Sequence, residues 1–375
     1  MPGIAEIERQ LFRFESIDPV VELFMRMHGE APTPERAKDI VARVKQGRQF
    51  LTIATTSAEL VRPLIFYYGV LALARAAILM ANGTLHRHHG LSAHSWDSAF
   101  SRGVRGLAEL RIVAKGQGTF AELTQITRNT STVAAVLIDN LPRRALANLG
   151  RISETRTFQW EVAGTPSITQ DVTISLRDVL ARMPDLQWHF NNAFGSTNDA
   201  YSAVGLVLND QMSTVSIELP VDVGLAFEAG GNHWEEALRR YDLPPDTSPE
   251  KLPMPLIRFS MDPGRQYPGT GYWVSIPAGP PLRVPSIKGD MSGSPFMVSG
   301  LPGGLYLSTL SLLYIVSYTM GMLVRYYPAV MVSLQSGEEG DAAYPIMRAA
   351  LALAEEQLPQ LLVTALQSMV WKRPS

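Results

Sequence analysis

Two long apolar stretches constrain this chain most, because each is long enough to cross a bilayer and must otherwise be buried. Residues 305–324 contain no charged residue, although serine, threonine and tyrosine interrupt the run. Residues 63–81 carry Arg75 near their middle, where a charge is expensive in lipid. We therefore expect both stretches to be central helices of a folded core, buried on every side, with no membrane contact.

The composition supports a folded protein and excludes several functions. The chain has 375 residues, of which 46% are hydrophobic and 18% charged, so disorder is excluded. Its net charge of −2 gives no overall field that attracts nucleic acid or an anionic membrane. The absence of cysteine excludes disulfides, thiolate metal sites and cysteine nucleophiles. No signal peptide is visible at the start, and we predict a cytoplasmic protein.

The first part of the chain has helix boundaries that can be read directly. Thr33 followed by Pro34 is typical of a helix start, with a capping hydroxyl and then proline in the first turn. Ser57 offers a second cap, and the apolar residues after it recur at helical spacing. Asn82 and Gly83 end that helix, which places the histidines that follow on a loop.

The remaining pattern predicts an α+β protein in three parts. Residues 1–110 are helical, residues 111–300 alternate short strands, short helices and Gly/Pro turns, and residues 301–375 are helical again. We predict that the N- and C-terminal helices form one helical bundle and that the β-rich middle is inserted between them. The strands of the middle are expected to include 155–162, 214–219 and 257–261, and the last helix to end near Trp371.

Four histidines fall within nine residues and mark the first place to look for chemistry, since imidazole titrates near neutrality and commonly binds metals. They are His86, His88, His89 and His94. With Asp97 they could form a nitrogen/oxygen metal site. The alternative is a surface loop whose histidines cap the preceding helix. No second cluster supplies further ligands, so we predict no bound metal and no cofactor.

Arg62 and Arg325 each interrupt or end an apolar helix, and each is followed by aromatic residues. An arginine near a core must be paired or must line a cavity. One interpretation is an ion pair that joins helices, for instance with Glu59 or Glu109. The other is a pocket for an anion or phosphate, which the forked guanidinium suits.

From these residues we predict a binding or regulatory protein in preference to an enzyme. The predicted ligand-binding residues are Arg62, Tyr68, His89 and Arg325, and the ligand is a small anion or a protein partner. The hypothesis requires the two guanidinium groups and the imidazole to meet at one pocket. Apolar surface at residues 306–318 could also serve a homodimer, although burial within one chain explains it equally well.

Several blocks of the sequence resemble the YaaC-like bacterial family. They are residues 57–76, the His-Gly-Leu-Ser of 89–92, residues 174–186 and the Met-Leu-Val-Arg-Tyr-Tyr-Pro of 322–328. These blocks span most of the chain, so the resemblance covers its full length. It implies a shared fold and supplies little about mechanism.

A second similarity is to helical-bundle HEPN domains, carried by the Tyr-Tyr and Ala-Arg-Ala of the second apolar stretch and the His-Gly loop after it. Many HEPN domains are RNases that act through an arginine and a histidine with four to six residues between them, and Arg87 and His94 have six residues between them. The family's pair lies on a late helix, where Arg325 has no following histidine. The alternative function is thus an RNase or metal-dependent phosphoester hydrolase with His89 and His94 as catalytic residues.

Overall fold

The structure is a computed structural model, and it describes most of the chain. The described residues are 4–100, 106–107, 109–137, 156–162, 164–165, 167–195, 201–203, 206–208, 214–219, 221–243, 250–253, 270–277, 286–289, 295–337 and 343–367. The predicted strand at 257–261 and the predicted helix end near residue 371 lie outside these ranges.

Helices form the first and the last parts of the chain that the structure describes. The N-terminal helices are α1 (Ile4–Phe12), α2 (Ile17–His28), α3 (Pro34–Thr56) and α4 (Arg62–Met80). Short helices follow in the middle: α5 (Trp96–Phe100), α6 (Thr119–Ile126), α7 (Leu176–Leu180), α8 (Gln187–Phe194), α9 (Val221–Ala229) and α10 (Gly231–Tyr241). The C-terminal helices are α11 (Thr309–Tyr326), α12 (Pro328–Ser336) and α13 (Ala343–Gln367).

The predicted bundle is confirmed, with α4 at its centre. Helix α4 packs against α3, α11 and α13, so elements from both ends of the chain share one core. By length and composition alone α4 could cross a membrane, but 78% of its most apolar 18-residue window is buried. Helix α11 is buried along nearly its whole length as well. These are the surroundings of core helices, as the sequence predicts.

Glycines allow the central helices to approach closely. Gly47 of α3 faces Gly69 of α4, and a Cβ on either would lie 3.2 Å from the other's carbonyl oxygen. On the opposite side, a Cβ at Gly321 of α11 would lie 2.9 Å from the Cβ of Tyr67. The absence of side chains at these crossings brings the Tyr67 ring into the core between α4 and α11.

The strands form three small sheets within the described residues. They are β1 (Leu91–His94), β2 (Arg111–Ala114), β3 (Ser131–Leu137), β4 (Arg156–Val162), β5 (Val172–Ser175), β6 (Tyr201–Ala203), β7 (Leu206–Leu208), β8 (Thr214–Leu219), β9 (Glu250–Pro253), β10 (Thr270–Pro277), β11 (Ile287–Gly289) and β12 (Pro295–Val298). The sheet orders are β1-β2-β5, β4-β3-β7-β8-β10-β9 and β11-β12-β6. All pairings are antiparallel except β3 with β7. The α+β class is confirmed.

One predicted helix boundary is right and another is wrong. The hydroxyl of Thr33 accepts a hydrogen bond from the Arg36 backbone N–H at 3.2 Å, so it caps α3 as predicted. Ser57 does not start the next helix. It ends α3, and a turn separates it from α4, because the backbone N–H groups of Val61 and Arg62 both donate to the Ala58 carbonyl.

The predicted boundary between the N-terminal helical part and the β-rich middle, at residue 110, stays a prediction. The sheet β1-β2-β5 contains strands from both parts. Strand β1 lies before that boundary and pairs antiparallel with β2 after it. In turn, β2 pairs with β5, so the segment that follows α4 is anchored to the middle of the chain.

Asn129 joins the middle of the chain to the start of α11. This buried residue follows α6, and its amide nitrogen donates to the carbonyls of Thr165 at 2.9 Å and Tyr306 at 2.6 Å. Its Oδ1 accepts from the Ser308 backbone N–H at 2.7 Å and the Ser311 hydroxyl at 3.0 Å. One side chain therefore satisfies polar groups of two separate segments, which fixes where α11 begins.

Candidate functional site

The loop between α4 and β1 is fixed by the start of α6. The backbone N–H groups of Thr119 and Phe120 donate to the carbonyls of His88 and His89, at 3.2 and 3.0 Å. Between them the chain turns at Gly90, whose φ is +78° and where a Cβ would lie 2.7 Å from the Phe120 nitrogen. These contacts hold the His89 backbone, so its side chain leaves the loop in a defined direction.

The His89 side chain points back onto α4. Its Nδ1 and the hydroxyl of buried Tyr67 are 2.6 Å apart, and either atom can donate according to the imidazole tautomer. Burial lowers the pKa of His89, and the nearby charges of Arg75 and Arg325 lower it further. Burial raises the pKa of Tyr67 well above its usual value, so the phenol keeps its proton. The pair is therefore uncharged at neutral pH.

Arg75 lies half-buried on α4 beside this pair. Its Nη2 donates to the Arg87 carbonyl at 2.9 Å, and its Nε approaches the Thr119 hydroxyl at 3.4 Å. No carboxylate pairs with it in the part of the chain that the structure describes. Burial lowers the pKa of Arg75, and the charge of Arg43 lowers it further, although an arginine with this surrounding stays protonated.

Arg325 supplies a second positive charge from the end of α11. Its Nη1 donates to the Tyr68 hydroxyl at 2.6 Å, and its guanidinium lies 5.0 Å from the centre of the Tyr326 ring. The guanidinium is exposed and, over the described ranges, contacts no carboxylate. We call Tyr67, Tyr68, Arg75, His89 and Arg325 the His89 site.

Aromatic side chains of α11 form the inner wall of the His89 site. Tyr318 packs edge-on against Tyr67 with ring centres 5.6 Å apart, and burial raises the pKa of Tyr318 to about 12. Tyr314 is fully buried behind Tyr67 and stacks on Phe120. Its hydroxyl has no partner of normal geometry among the described residues, although it is electrostatically coupled to Tyr67 and Arg75. The wall therefore consists of protonated phenols without negative charge.

The structure brings together three of the four predicted ligand-binding residues. Tyr68, His89 and Arg325 belong to the His89 site, as described above. Arg62 does not join them. It pairs with Glu355 of α13 through two hydrogen bonds, one of 2.6 Å from its Nε, and it lines a separate cavity of about 50 Å³. The expectation that both guanidinium groups share one pocket is therefore wrong.

Arg62 instead matches the other interpretation of the sequence, an ion pair between helices. The partner differs from the two proposed acids, since Glu355 takes the place of Glu59 or Glu109. Glu59 accepts a hydrogen bond from the Tyr344 hydroxyl and lies 3.6 Å from Arg348. Both pairs tie the start of α4 to α13.

Of the other histidines in the cluster, His88 is close enough to His89 for its charge to lower the pKa of that imidazole. The rings of His86 and His88 are 5.7 Å apart, whereas His94 is exposed at the end of β1, opposite Arg111. Asp97 accepts a hydrogen bond of 2.8 Å from Tyr327. Within the described residues no three histidine or acidic side chains lie close enough to hold a metal ion. A catalytic role for His94 stays a prediction.

Arg75 is a site residue that was not predicted from the sequence. Its signal was present, because an arginine in the middle of an apolar helix has to be paired or face a polar space. In the sequence alone, that charge served only as evidence against a membrane span. The pairing of Arg75 with a loop carbonyl depends on the tertiary fold, which the local pattern does not contain.

Comparison with known families gives a match over most of the chain. The model of the family described as YaaC-like protein matches residues 26–366, a range that includes the His89 site and the helices around it. Neither the curated proteins nor the solved structures give a match. The similarity to HEPN domains has no support from these comparisons and stays a prediction. The chain belongs to the YaaC-like protein family.

Proposed function

We propose that this protein binds a small anionic ligand at the His89 site, through a carboxylate or phosphate group. The observation that carries the proposal is that two guanidinium groups reach the surroundings of His89. Arg75 donates to the Arg87 carbonyl of the same loop, and Arg325 donates to the hydroxyl of Tyr68, whose neighbour Tyr67 contacts the imidazole. Neither guanidinium has a carboxylate partner among the described residues. A pair of unneutralised arginines beside a polar loop is an arrangement that favours an anion.

The chemistry of the site supports recognition in preference to catalysis. The two guanidinium groups and the hydroxyls of Tyr67 and Tyr68 supply hydrogen-bond donors, and the aromatic rings of α11 cover the inner side of the site. His89 is uncharged without a ligand, and an anion beside it would favour its protonated, donating form. The site thus offers a place for negative charge, with one group that can take up a proton on binding.

Thermal unfolding in sodium sulfate tests the proposal, with sodium chloride of equal ionic strength as reference. We expect sulfate to raise the Tm of the wild-type protein and Arg325→Gln to lose most of that rise. Arg325 is exposed, so its removal should leave the fold intact. Arg26→Gln is the matched control, because Arg26 is an exposed arginine paired within its own helix. No sulfate effect in the wild type, or an equal effect in Arg325→Gln, would contradict the proposal.

We propose further that the protein acts in the cytoplasm. The absence of cysteine and the burial of α4 in the core support this location. Cell fractionation should recover the protein with the soluble fraction. Recovery with the membranes after a high-salt wash would contradict this location.

A further inference from the structure

The cavity that Arg62 lines lies between α1, α3, α4 and α13, and none of its lining residues belongs to the His89 site. Its volume is about 50 Å³. The buried part of its wall is apolar and is made by Ile7, Leu11, Leu51, Ala54 and Phe66. Ala54 contributes only a methyl group, so it leaves space that a larger side chain would fill. A molecule that enters this space gains contacts that the empty wall lacks.

The charged side chains at this cavity are already paired with one another. Arg62 donates two hydrogen bonds to the carboxylate of Glu355. Arg48 donates two to the carboxylate of Glu15, and Glu8 adds a further negative charge beside it. An anionic ligand would have to displace one of these carboxylates, and a cationic ligand one of the guanidinium groups. The cavity therefore favours an uncharged ligand, in contrast to the His89 site.

A proline inside α13 gives the wall of this cavity a hydrogen-bond acceptor. Pro359 is buried within the helix and lines the cavity. Because proline has no N–H, the carbonyl of Glu355, four residues earlier, lacks its ordinary helical donor. Glu355 and Pro359 both line the cavity, so this carbonyl lies on the face of α13 that borders it. A ligand hydroxyl at this position would supply the missing donor.

We propose that this cavity binds a small uncharged alcohol. Its hydroxyl donates to the Glu355 carbonyl, and its aliphatic chain packs against Leu11, Leu51 and Phe66. A volume of about 50 Å³ holds roughly three to five non-hydrogen atoms, judged by the space that one water molecule needs. The chain therefore has about three or four carbons. This site is independent of the proposed anion binding at the His89 site, and either can be present without the other.

A series of straight-chain alcohols from methanol to 1-hexanol tests the cavity on the intact protein, read from the methyl NMR signals of Ile7, Leu11 and Leu51. We expect saturable shifts whose affinity rises about fourfold with each added carbon, because each methylene leaves water for an apolar wall. The rise should stop after 1-propanol or 1-butanol, when the cavity is full. Shifts that do not saturate, or an affinity that still rises to 1-hexanol, would overturn the proposal.

Charged analogues of the same length test the preference for an uncharged ligand. Butyrate and 1-butylammonium should not displace 1-butanol at equal concentration, because an ion would lose its hydration without finding a free partner. Displacement by either ion would overturn this preference.

Two variants test the position of the ligand. Ala54→Leu fills the cavity, so 1-butanol should no longer shift the Leu11 methyl signals, whereas Ala42→Leu, at an exposed alanine of the same helix, should bind like the wild type. Pro359→Ala gives the Glu355 carbonyl its helical donor, so we expect 1-butanol to bind roughly threefold to tenfold more weakly. Unchanged binding in Ala54→Leu would overturn the site, and in Pro359→Ala the hydroxyl contact. Far-ultraviolet circular dichroism checks that each variant retains the fold.

Discussion

His89 and Lys288 are both held less protonated in the folded protein than they would be in water. Burial is the first cause at each position, and at His89 two arginines add to it. For a base whose folded pKa is lowered, the unfolded chain binds more protons, so the free energy of unfolding rises with pH. Each residue therefore lowers the free energy of unfolding most at a pH below its folded pKa. Above its unfolded pKa this destabilisation disappears.

Replacing Lys288 by methionine should stabilise the protein. Methionine fills similar space without an amine, so unfolding at pH 7 should cost about 2–4 kcal/mol more than in the wild type. This increase in the free energy of unfolding should be complete below pH ~7. It should vanish as pH approaches ~10.5, where the amine of the unfolded chain also loses its proton. Urea unfolding at several pH values measures this. A destabilised variant would show that Lys288 has a structural partner.

Sulfate binding at the His89 site should strengthen as pH falls from 8 to 6. Sulfate keeps its charge over this range, so the change reports on the protein. An anion favours protonated His89 and raises its lowered pKa, so binding takes up a proton. Titration calorimetry in two buffers of different ionisation enthalpy measures that uptake. His89→Gln should bind sulfate with little pH dependence, and an unchanged pH dependence would exclude His89 as the cause.

At the scale of helices and strands, local signals in the sequence predicted an element correctly where neighbouring residues satisfy the backbone groups at its end. Thr33 caps α3, and the predicted strand at 214–219 is β8. The prediction that Ser57 starts a helix was wrong because serine ends helices as well as starting them. The contacts that place one element on another, such as Gly321 against Tyr67, depend on the fold and have no local signal.

Asn129→Ala should be among the most destabilising single changes in the protein. It leaves two carbonyls and two donors near the start of α11 without their partner, and alanine also tolerates the positive φ of +48° poorly. We expect the free energy of unfolding to fall by about 2–4 kcal/mol. Asn192→Ala, at an exposed asparagine of α8, is the control and should change it by less than about 0.5 kcal/mol. Denaturant unfolding compares the two, and a similar result for both would contradict this role.

At the scale of the whole molecule, the sequence predicted that the N- and C-terminal helices pack together. It did not predict that Arg62 and Arg325 lie at different sites. Tyr68 lies six positions after Arg62, which is about 9 Å along a helix and about 120° around it. The two side chains therefore serve different surfaces of α4, one toward α13 and one toward Arg325. The partner of Arg62 lies 293 residues away, beyond any local pattern.

The Arg62–Glu355 pair should couple the start of α4 to α13 measurably. The two side chains are 39% and 18% exposed, so the pair is neither fully screened nor fully buried. In a double-mutant cycle with Arg62→Ala and Glu355→Ala, we expect a coupling of about 1–2 kcal/mol. The pair Arg26 and Glu22, which is exposed on α2, should give less than about 0.5 kcal/mol. Additive effects at both pairs would show that the contact contributes nothing to stability.

The position of α4 at the centre of the bundle has a consequence for biosynthesis. Its packing partners α11 and α13 lie more than two hundred residues later in the chain. A ribosome adding ~5–20 residues per second needs roughly 10–50 s to make that intervening segment. Helix α3 can already cover one face of α4, but the apolar faces that later meet α11 and α13 stay exposed throughout this interval. Production of this protein in a cell should therefore depend on chaperones that shield those faces.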